Sequence, residues 1–175
     1  KPKGFIVYTH MMPATKESWQ KLAEALEELG YVGIAIDMRG HGESVGGPDG
    51  FKEFDKQGHR DSILDIDRAV SFLLEHGAKL EQIDLIGASI GGSLTLQRFA
   101  ENTEHRRAVL LSAGLNYADI DAVRLVKKLQ SSQSILFVTS LDDRVVGNTE
   151  QNQELFDETP ENVRKKIIIY KRANH

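Results

Sequence analysis

The sequence predicts an α/β fold, a doubly wound and mostly parallel sheet of about six strands with helices on both faces. Two observations carry this prediction. Short apolar runs alternate along the chain with longer stretches whose apolar residues recur at helical spacing, which is typical of βαβ units. The apolar runs are also nearly continuous, as expected of parallel strands that are buried on both sides.

Six runs rich in aliphatic and β-branched residues predict the strands. In chain order they are residues 5–8, 32–36, 83–86, 108–111, 135–138 and 167–170. The first helix is predicted from the residues that share one of its faces, with Thr15 as N-cap and Gly30 as the C′ residue. These residues are Trp19, Leu22, Ala23, Leu26 and Leu29.

Four more helices are predicted from periodicity and end signals. One spans residues 61–76 and is closed by Gly77, and another follows Ser89. A short helix carries Ile120, Val123, Val126 and Leu129, and a last one around residues 155–156 ends at Pro160. Residues 46–50 predict a surface loop.

No repeat, linker or low-complexity segment divides the 175 residues, so we expect a single domain over residues 1–175. Only about two dozen residues separate the fourth and fifth predicted strands, and the short helix uses most of them. We therefore expect no separate lid domain.

Composition excludes several functional classes. The chain has no cysteine, which rules out disulfides, zinc–thiolate sites and a cysteine nucleophile. A net charge of −4 without a long basic cluster argues against nucleic-acid binding. No apolar run approaches the ~20 residues of a membrane helix, so we expect no membrane partner and a cytoplasmic location. The oligomeric state stays open.

The histidines indicate neither a metal nor another cofactor. His59, His76 and His105 lack the spacing of metal ligands, and we expect them to be solvated. We expect structural roles for His10, in a loop after the first strand, and for His41, between two glycines.

The strongest local signal is a G-x-S-x-G motif at residues 87–91, between a predicted strand and a predicted helix. Such a sharp turn forces strained backbone angles on Ser89 and leaves no room for side chains at Gly87 and Gly91. It lifts the serine oxygen clear of the sheet and directs the amino end of the helix at the site. The alternative is a glycine-rich turn that serves only close packing or cradles a phosphate.

A serine nucleophile needs a base and a group that orients the base. Asp142 and Asp143 directly follow the fifth predicted strand, and His175 lies five residues after the sixth. Because parallel strands end at one edge of the sheet, these side chains are expected near Ser89. The chain order of serine, aspartate and histidine is that of one hydrolase fold.

The whole chain resembles the α/β-hydrolase family. Residues 37–44 (DMRGHGES) closely resemble the D-x-R-G-x-G-x-S loop of the family, and residues 87–92 resemble its nucleophile elbow. Residues 141–146 resemble the acid loop, in which Asp143 matches the catalytic acid and Asp142 is the alternative. Residues 173–175 resemble the loop that ends in the catalytic histidine. The resemblance therefore implies a triad of Ser89, Asp143 and His175.

Residues 8–10 resemble the end of the strand that carries the oxyanion loop of the family. By position, the N–H groups of Met12 and Ile90 are then the oxyanion donors. Met11 departs from the glycine that the family usually has there, and methionine cannot adopt every backbone conformation open to glycine. Met11 and Met12 are also candidates for an apolar acyl pocket, since methionine fills irregular apolar sites.

The resulting hypothesis is a carboxylesterase that hydrolyses small, short-chain esters through an acyl-enzyme on Ser89. An open site without a lid favours small-molecule ester substrates over long-chain ones. Thioesterases, amidases, peptidases and perhydrolases use the same residues, so they stay as alternatives. A non-catalytic receptor built on the fold is a third possibility.

Overall fold

The computed structural model describes residues 1–145, 148–173 and 175. Its main sheet is built from six strands: β1 (Gly4–Thr9), β2 (Tyr31–Ile36), β3 (Ile83–Ala88), β4 (Arg107–Leu111), β7 (Ser134–Ser140) and β8 (Arg164–Tyr170). A short antiparallel hairpin lies between β4 and β7 in the chain and is formed by β5 (Asn116–Tyr117) and β6 (Ile120–Asp121).

The strand order is β2-β1-β3-β4-β7-β8, and every neighbouring pair is parallel. All six predicted strands are present, with ends within three residues of the predicted ones. The predicted fold class is therefore confirmed.

Among the residues that the structure describes, six α-helices connect the strands: α1 (Gln20–Glu28), α2 (Lys56–Asp61), α3 (Ile63–Glu75), α4 (Ile90–Glu101), α5 (Ala122–Val126) and α6 (Thr149–Glu158). Short 3₁₀ turns occupy Lys16–Trp19, Gly50–Glu53 and Leu80–Gln82. In the described part of the chain, no helix has the length and apolarity needed to cross a membrane.

The chain winds in both directions from β1, and this decides which face each helix covers. From β1 it moves outward to β2 through α1, and then returns past β1 to β3 through α3. Since parallel crossovers are right-handed, the reversal places α1 on one face and the later helices on the other. Ligands bind at such reversal points in open α/β sheets, here between the carboxyl ends of β1 and β3.

Both faces of the sheet carry a hydrophobic core. On the α1 side, Trp19 packs with Ile6, Tyr8 and Ile86. The larger core lies under α3–α6 and includes fully buried side chains from strands and helices. Among these are Leu85, Leu110, Phe137, Leu94, Phe99 and Leu155.

The helix predictions need three corrections. The helix predicted over residues 61–76 is present as α3, but α2, which ends at Asp61 just before it, was not predicted. The helix predicted from Ile120 begins at Ala122, since Ile120 belongs to the unpredicted hairpin. Thr15 precedes a 3₁₀ turn and makes no side-chain cap hydrogen bond to it.

Candidate active site

Ser89 lies in the tight turn between β3 and α4, with φ of 52° and ψ of −118°. This positive φ is the strained conformation expected of the motif. A Cβ on Gly91 would lie 2.4 Å from the carbonyl oxygen of His10 and 2.5 Å from that of Thr9. A Cβ on Gly87 would lie 2.4 Å from the carbonyl oxygen of Gly91. Both glycines are therefore required by backbone that approaches too closely for a side chain.

Three predicted side chains meet at the carboxyl edge of the sheet. Ser89 Oγ lies 2.9 Å from His175 Nε2, and His175 Nδ1 lies 2.8 Å from Asp143 Oδ2. Since the carboxylate of Asp143 accepts from Nδ1–H, Nε2 of the neutral ring is left to accept from the serine hydroxyl. The geometry is that of a nucleophile hydrogen-bonded to a base that is oriented by a carboxylate.

Asp143 is buried and satisfied by three donors. Burial raises the pKa of its carboxyl, but hydrogen bonds from His175, the N–H of Val145 and the hydroxyl of Ser112 outweigh burial and lower it below its ordinary value. The Val145 N–H lies 2.9 Å from Asp143 Oδ1. Asp143 is therefore charged at neutral pH and can stabilise a protonated imidazole.

Ser112 was not among the predicted site residues. It directly follows β4, has a positive φ of 49° and is buried beside Asp143. Its place after a strand at the same edge as Asp143 was the available signal.

Asp142, the alternative acid, has a different set of partners. Its Oδ1 accepts from the backbone N–H of Ala173 at 3.1 Å and from the hydroxyl of Ser140. His175 donates its observed hydrogen bond to Asp143, as the family pattern implies.

The loop after β1 lies against the first turn of α4. The His10 ring fixes this loop, because Nδ1–H donates to the carbonyl of Met11 at 2.8 Å and Nε2 accepts from Met38 N–H at 3.0 Å. The ring is fully buried, and burial lowers its pKa, so it is neutral as the second bond requires. The structural role expected for His10 agrees with these contacts.

Ile90 is the first residue of α4, and N–H groups in the first turn have no acceptor within a helix. They and the helix dipole favour negative charge beside Ser89. Met12 lies in the loop that His10 fixes. The two predicted oxyanion donors therefore come from segments that touch where Gly91 meets the carbonyls of Thr9 and His10.

A largely apolar cavity of about 240 Å³ opens beside Ser89 and His175. Its apolar walls are formed by residues from the β1 loop, the 3₁₀ turn and three strands, namely Met11, Trp19, Leu111, Val138 and Tyr170. Met12, the other methionine predicted to bind the acyl group, is not among the lining residues.

The loop with the DMRGHGES motif is fixed by hydrogen bonds to the buried carboxylate of Asp37. This carboxylate accepts hydrogen bonds from the backbone N–H of Lys16 at 2.8 Å and from the Lys16 Nζ at 2.7 Å. It also accepts from the backbone N–H of Glu43 at 3.1 Å. A Cβ on Gly42 would lie 2.3 Å from this carboxylate. The motif thus holds the segment from which Met38 donates to His10.

Of the three histidines expected to be solvated, His76 is exposed, whereas the other two have buried or partly buried contacts. His105 is fully buried, with Nδ1 3.0 Å from the carbonyl oxygen of Ile83, and His59 lies 2.7 Å from the hydroxyl of Tyr117. His41 is buried and stacks on Phe51 with ring centroids 4.3 Å apart. Within the described ranges, no group of three or more histidine or acidic side chains is arranged to hold a metal ion.

Comparison with known proteins places this geometry in context. A family model described as serine aminopeptidase, S33, matches residues 1–134. A curated relative, the non-heme chloroperoxidase CPO-A1 of Kitasatospora aureofaciens, is 34% identical over 113 residues. That match covers 62% of this chain and 36% of the relative, so the chain spans about a third of the relative's length.

Solved structures with the same fold include an esterase and a peptidase from Pyrococcus. The Pyrococcus furiosus esterase Pf2001 has a TM-score of 0.81 and 18% identity, over 99% of this chain and 75% of its own. The Pyrococcus horikoshii acylaminoacyl peptidase has a TM-score of 0.78 and 16% identity, over 99% of this chain and 33% of its own. Acetyl xylan esterase 1 from Thermoanaerobacterium sp. has a TM-score of 0.73 and 16% identity, over 100% of this chain and 70% of its own. At these identities, the likeness concerns the fold.

Proposed function

We propose, starting from the fact that this chain belongs to the serine aminopeptidase S33 family of α/β-hydrolases, that it is a carboxylesterase with Ser89 as nucleophile. One observation carries the proposal: Ser89 Oγ, His175 and Asp143 are joined by hydrogen bonds of 2.9 Å and 2.8 Å. They meet where the winding of the sheet reverses, beside an apolar cavity.

In the proposed reaction, His175 Nε2 removes the proton of Ser89 as Oγ attacks the ester carbonyl. The developing oxyanion is stabilised by the N–H groups of Ile90 and Met12 and by the amino end of α4. His175 then protonates the leaving alcohol, which leaves an acyl-enzyme on Ser89. Water activated by His175 attacks this ester and releases the acid, while Asp143 stabilises the charged imidazole throughout.

The proposed substrates are small esters with short acyl chains. The cavity beside Ser89 has a volume of only about 240 Å³, and residues 112–133, between β4 and β7, hold only the hairpin and α5. This supports a single domain without a lid that could cover a long chain. Met11 and Trp19 are the proposed acyl contacts on one wall of the cavity.

Substitution of the nucleophile tests the proposal. Ser89→Ala should abolish hydrolysis of p-nitrophenyl butyrate and leave the melting temperature nearly unchanged, and a fluorophosphonate should label the wild type at Ser89. Adding His175→Ala or Asp143→Asn to Ser89→Ala should cost little further activity, because triad members act as a unit. A Ser89→Ala variant that keeps more than a few per cent of activity would refute the assignment.

A second candidate is perhydrolysis, which the 34% identity to a non-heme chloroperoxidase favours. In that reaction, hydrogen peroxide replaces water as the attacking group and the acyl-enzyme is released as a peroxy acid. Adding peroxide to the ester assay and measuring bromide oxidation distinguishes the two, since only peroxy acid oxidises bromide rapidly. A thioester and an anilide in the same panel test the thioesterase, amidase and peptidase alternatives.

A further inference from the structure

The loops that follow β7 and β8 are joined by a small set of hydrogen bonds. Leu141 N–H donates to the carbonyl of Tyr170 at 2.9 Å, which continues the pairing of the two strands. Beyond it, the N–H of Ala173 lies 2.9 Å from Ser140 Oγ and 3.1 Å from Asp142 Oδ1. The hydroxyl of Ser140 also donates to Asp142. These contacts link the segment before the candidate base to the segment before the candidate acid.

Residues 171–173, the described residues between β8 and His175, lie on the surface. β8 is the edge strand of the sheet and ends at Tyr170. Lys171, Arg172 and Ala173 are all exposed, so burial of apolar surface does not place them. Ser140, in contrast, is 2% exposed and lies at the end of β7. The hydrogen bonds of Ala173 therefore anchor an exposed segment to a rigid part of the sheet.

The position of the His175 ring is narrowly defined, because the ring has to contact two partners at once. Nδ1 lies 2.8 Å from Asp143 and Nε2 lies 2.9 Å from Ser89. Protein hydrogen bonds have donor–acceptor distances of about 2.7–3.2 Å and are lost by about 3.6 Å, so a shift of about 1 Å breaks one of them. A group that fixes the backbone two residues before His175 consequently controls the activation of the serine.

We propose that Asp142 is a positioning residue that, together with Ser140, binds the N–H of Ala173 and so holds His175 between Ser89 and Asp143. The inference rests on the proposed triad and assigns different roles to two adjacent carboxylates. Asp143 accepts from the base itself, whereas Asp142 accepts from the backbone that carries the base. A hydrogen bond from an N–H to a carboxylate is charge-assisted and suits this anchoring role.

Three variants separate anchoring from acid catalysis. Asp142→Ala removes the acceptor, and we expect kcat to fall about 10- to 100-fold with KM within about twofold, as for a catalytic group displaced by about 1 Å. Asp142→Asn keeps an oxygen that accepts from Ala173 and Ser140, and should stay within about fivefold of the wild type. Asp143→Asn should instead cost about 10⁴-fold, since it favours the wrong tautomer of the histidine.

Asp157→Ala is the matched control, because Asp157 is an exposed carboxylate on α6 outside these contacts. It should match the wild type in kcat and in the rate of fluorophosphonate labelling. Asp142→Ala should be labelled completely but more slowly, with a melting temperature close to that of the control. This combination indicates a folded protein whose serine is poorly activated.

Two results would overturn the inference: wild-type kcat and labelling rate in Asp142→Ala, or equal losses in Asp142→Asn and Asp142→Ala. A failure of the proposed function looks different, since the wild type itself would then not be labelled at Ser89. If Asp142→Asn were crippled and Asp143→Asn mild, Asp142 would be the acid and the positioning role would be wrong.

Discussion

Replacing Gly91 with alanine tests how the turn at Ser89 is built. The new Cβ would lie 2.4 Å from the carbonyl oxygen of His10 and 2.5 Å from that of Thr9. Ordinary C···O contacts begin near 3.3 Å, so the backbone has to separate by about 0.9 Å. Thr9 is held in β1 between two neighbouring strands, and the loop after it is freer to move. We therefore expect the loop of His10 and Met12 to be displaced from the start of α4.

The expected cost has two parts. Overpacking lowers the free energy of unfolding by about 1–3 kcal/mol. The better helix propensity of alanine raises it by up to about 1 kcal/mol and so offsets part of this loss. A displacement near 1 Å at the oxyanion loop costs about 100-fold in kcat. Urea unfolding measures the first quantity, and p-nitrophenyl butyrate hydrolysis at saturation measures the second. The loss of activity should thus greatly exceed what the loss of stability explains.

Gly92→Ala is the control, since it brings the same gain in helix propensity one residue along α4. Its Cβ would lie 3.2 Å from the Cβ of Ala113, so the neighbour has to yield by only a few tenths of an ångström. This variant should keep kcat within about threefold of the wild type. Equal kcat values for Gly91→Ala and Gly92→Ala would refute the idea that the close approach at Gly91 places the oxyanion loop.

Two further predictions concern the acyl cavity and the buried Asp37. Values of kcat/KM for p-nitrophenyl esters should be high for acetate and butyrate and low from decanoate onward. Each further CH₂ should raise kcat/KM by up to about fourfold, but only while the cavity has room to bury it. A maximum at octanoate or beyond would contradict this prediction. Asp37→Asn should lower the free energy of unfolding at pH 7 by about 1–3 kcal/mol in urea. Although burial raises the Asp37 pKa, hydrogen bonds from Lys16 and Glu43 hold it below its ordinary value, so the gain is present above about pH 4 and lost as the pH falls through the lowered pKa. The two proteins should converge in stability towards pH 2, and a constant difference from pH 7 to pH 2 would contradict the electrostatic account.

The parts of the fold that the sequence predicts are those encoded locally. Each strand of the main sheet is a compact apolar run, and the turn at Ser89 follows from glycines two residues to either side. Ser89, Asp143 and His175 each follow a predicted strand, which was enough to expect them at one edge, because parallel strands all end there. Their mutual distances follow from the sheet register and could not be derived from spacing.

The unpredicted features depend on contacts between distant segments. The hairpin turn has positive φ at Ala118 and Asp119, a conformation usually signalled by glycine or asparagine. Here it is held by Arg60, whose guanidinium lies 2.8 Å from the Ala118 carbonyl oxygen, and by Lys56, 2.7 Å from Asp119. Helix α2 was missed for a local reason instead, because it is polar, carries no apolar stripe and begins at its own cap, Asp55. No periodicity in the sequence separates it from α3.

The pairing of β7 with β8 runs from Ser134 opposite Arg164 to Ser140 opposite Tyr170. A slip of one residue in this edge pair would carry His175 about 3.3 Å along the strand and invert every side chain of β8. Such a chain would still be compact, and far-ultraviolet circular dichroism would hardly distinguish it. Active-site titration, which counts reactive serines per mole of chain, would therefore serve as a quality measure for preparations of this protein, reporting the fraction of molecules in which the last strand has paired in register.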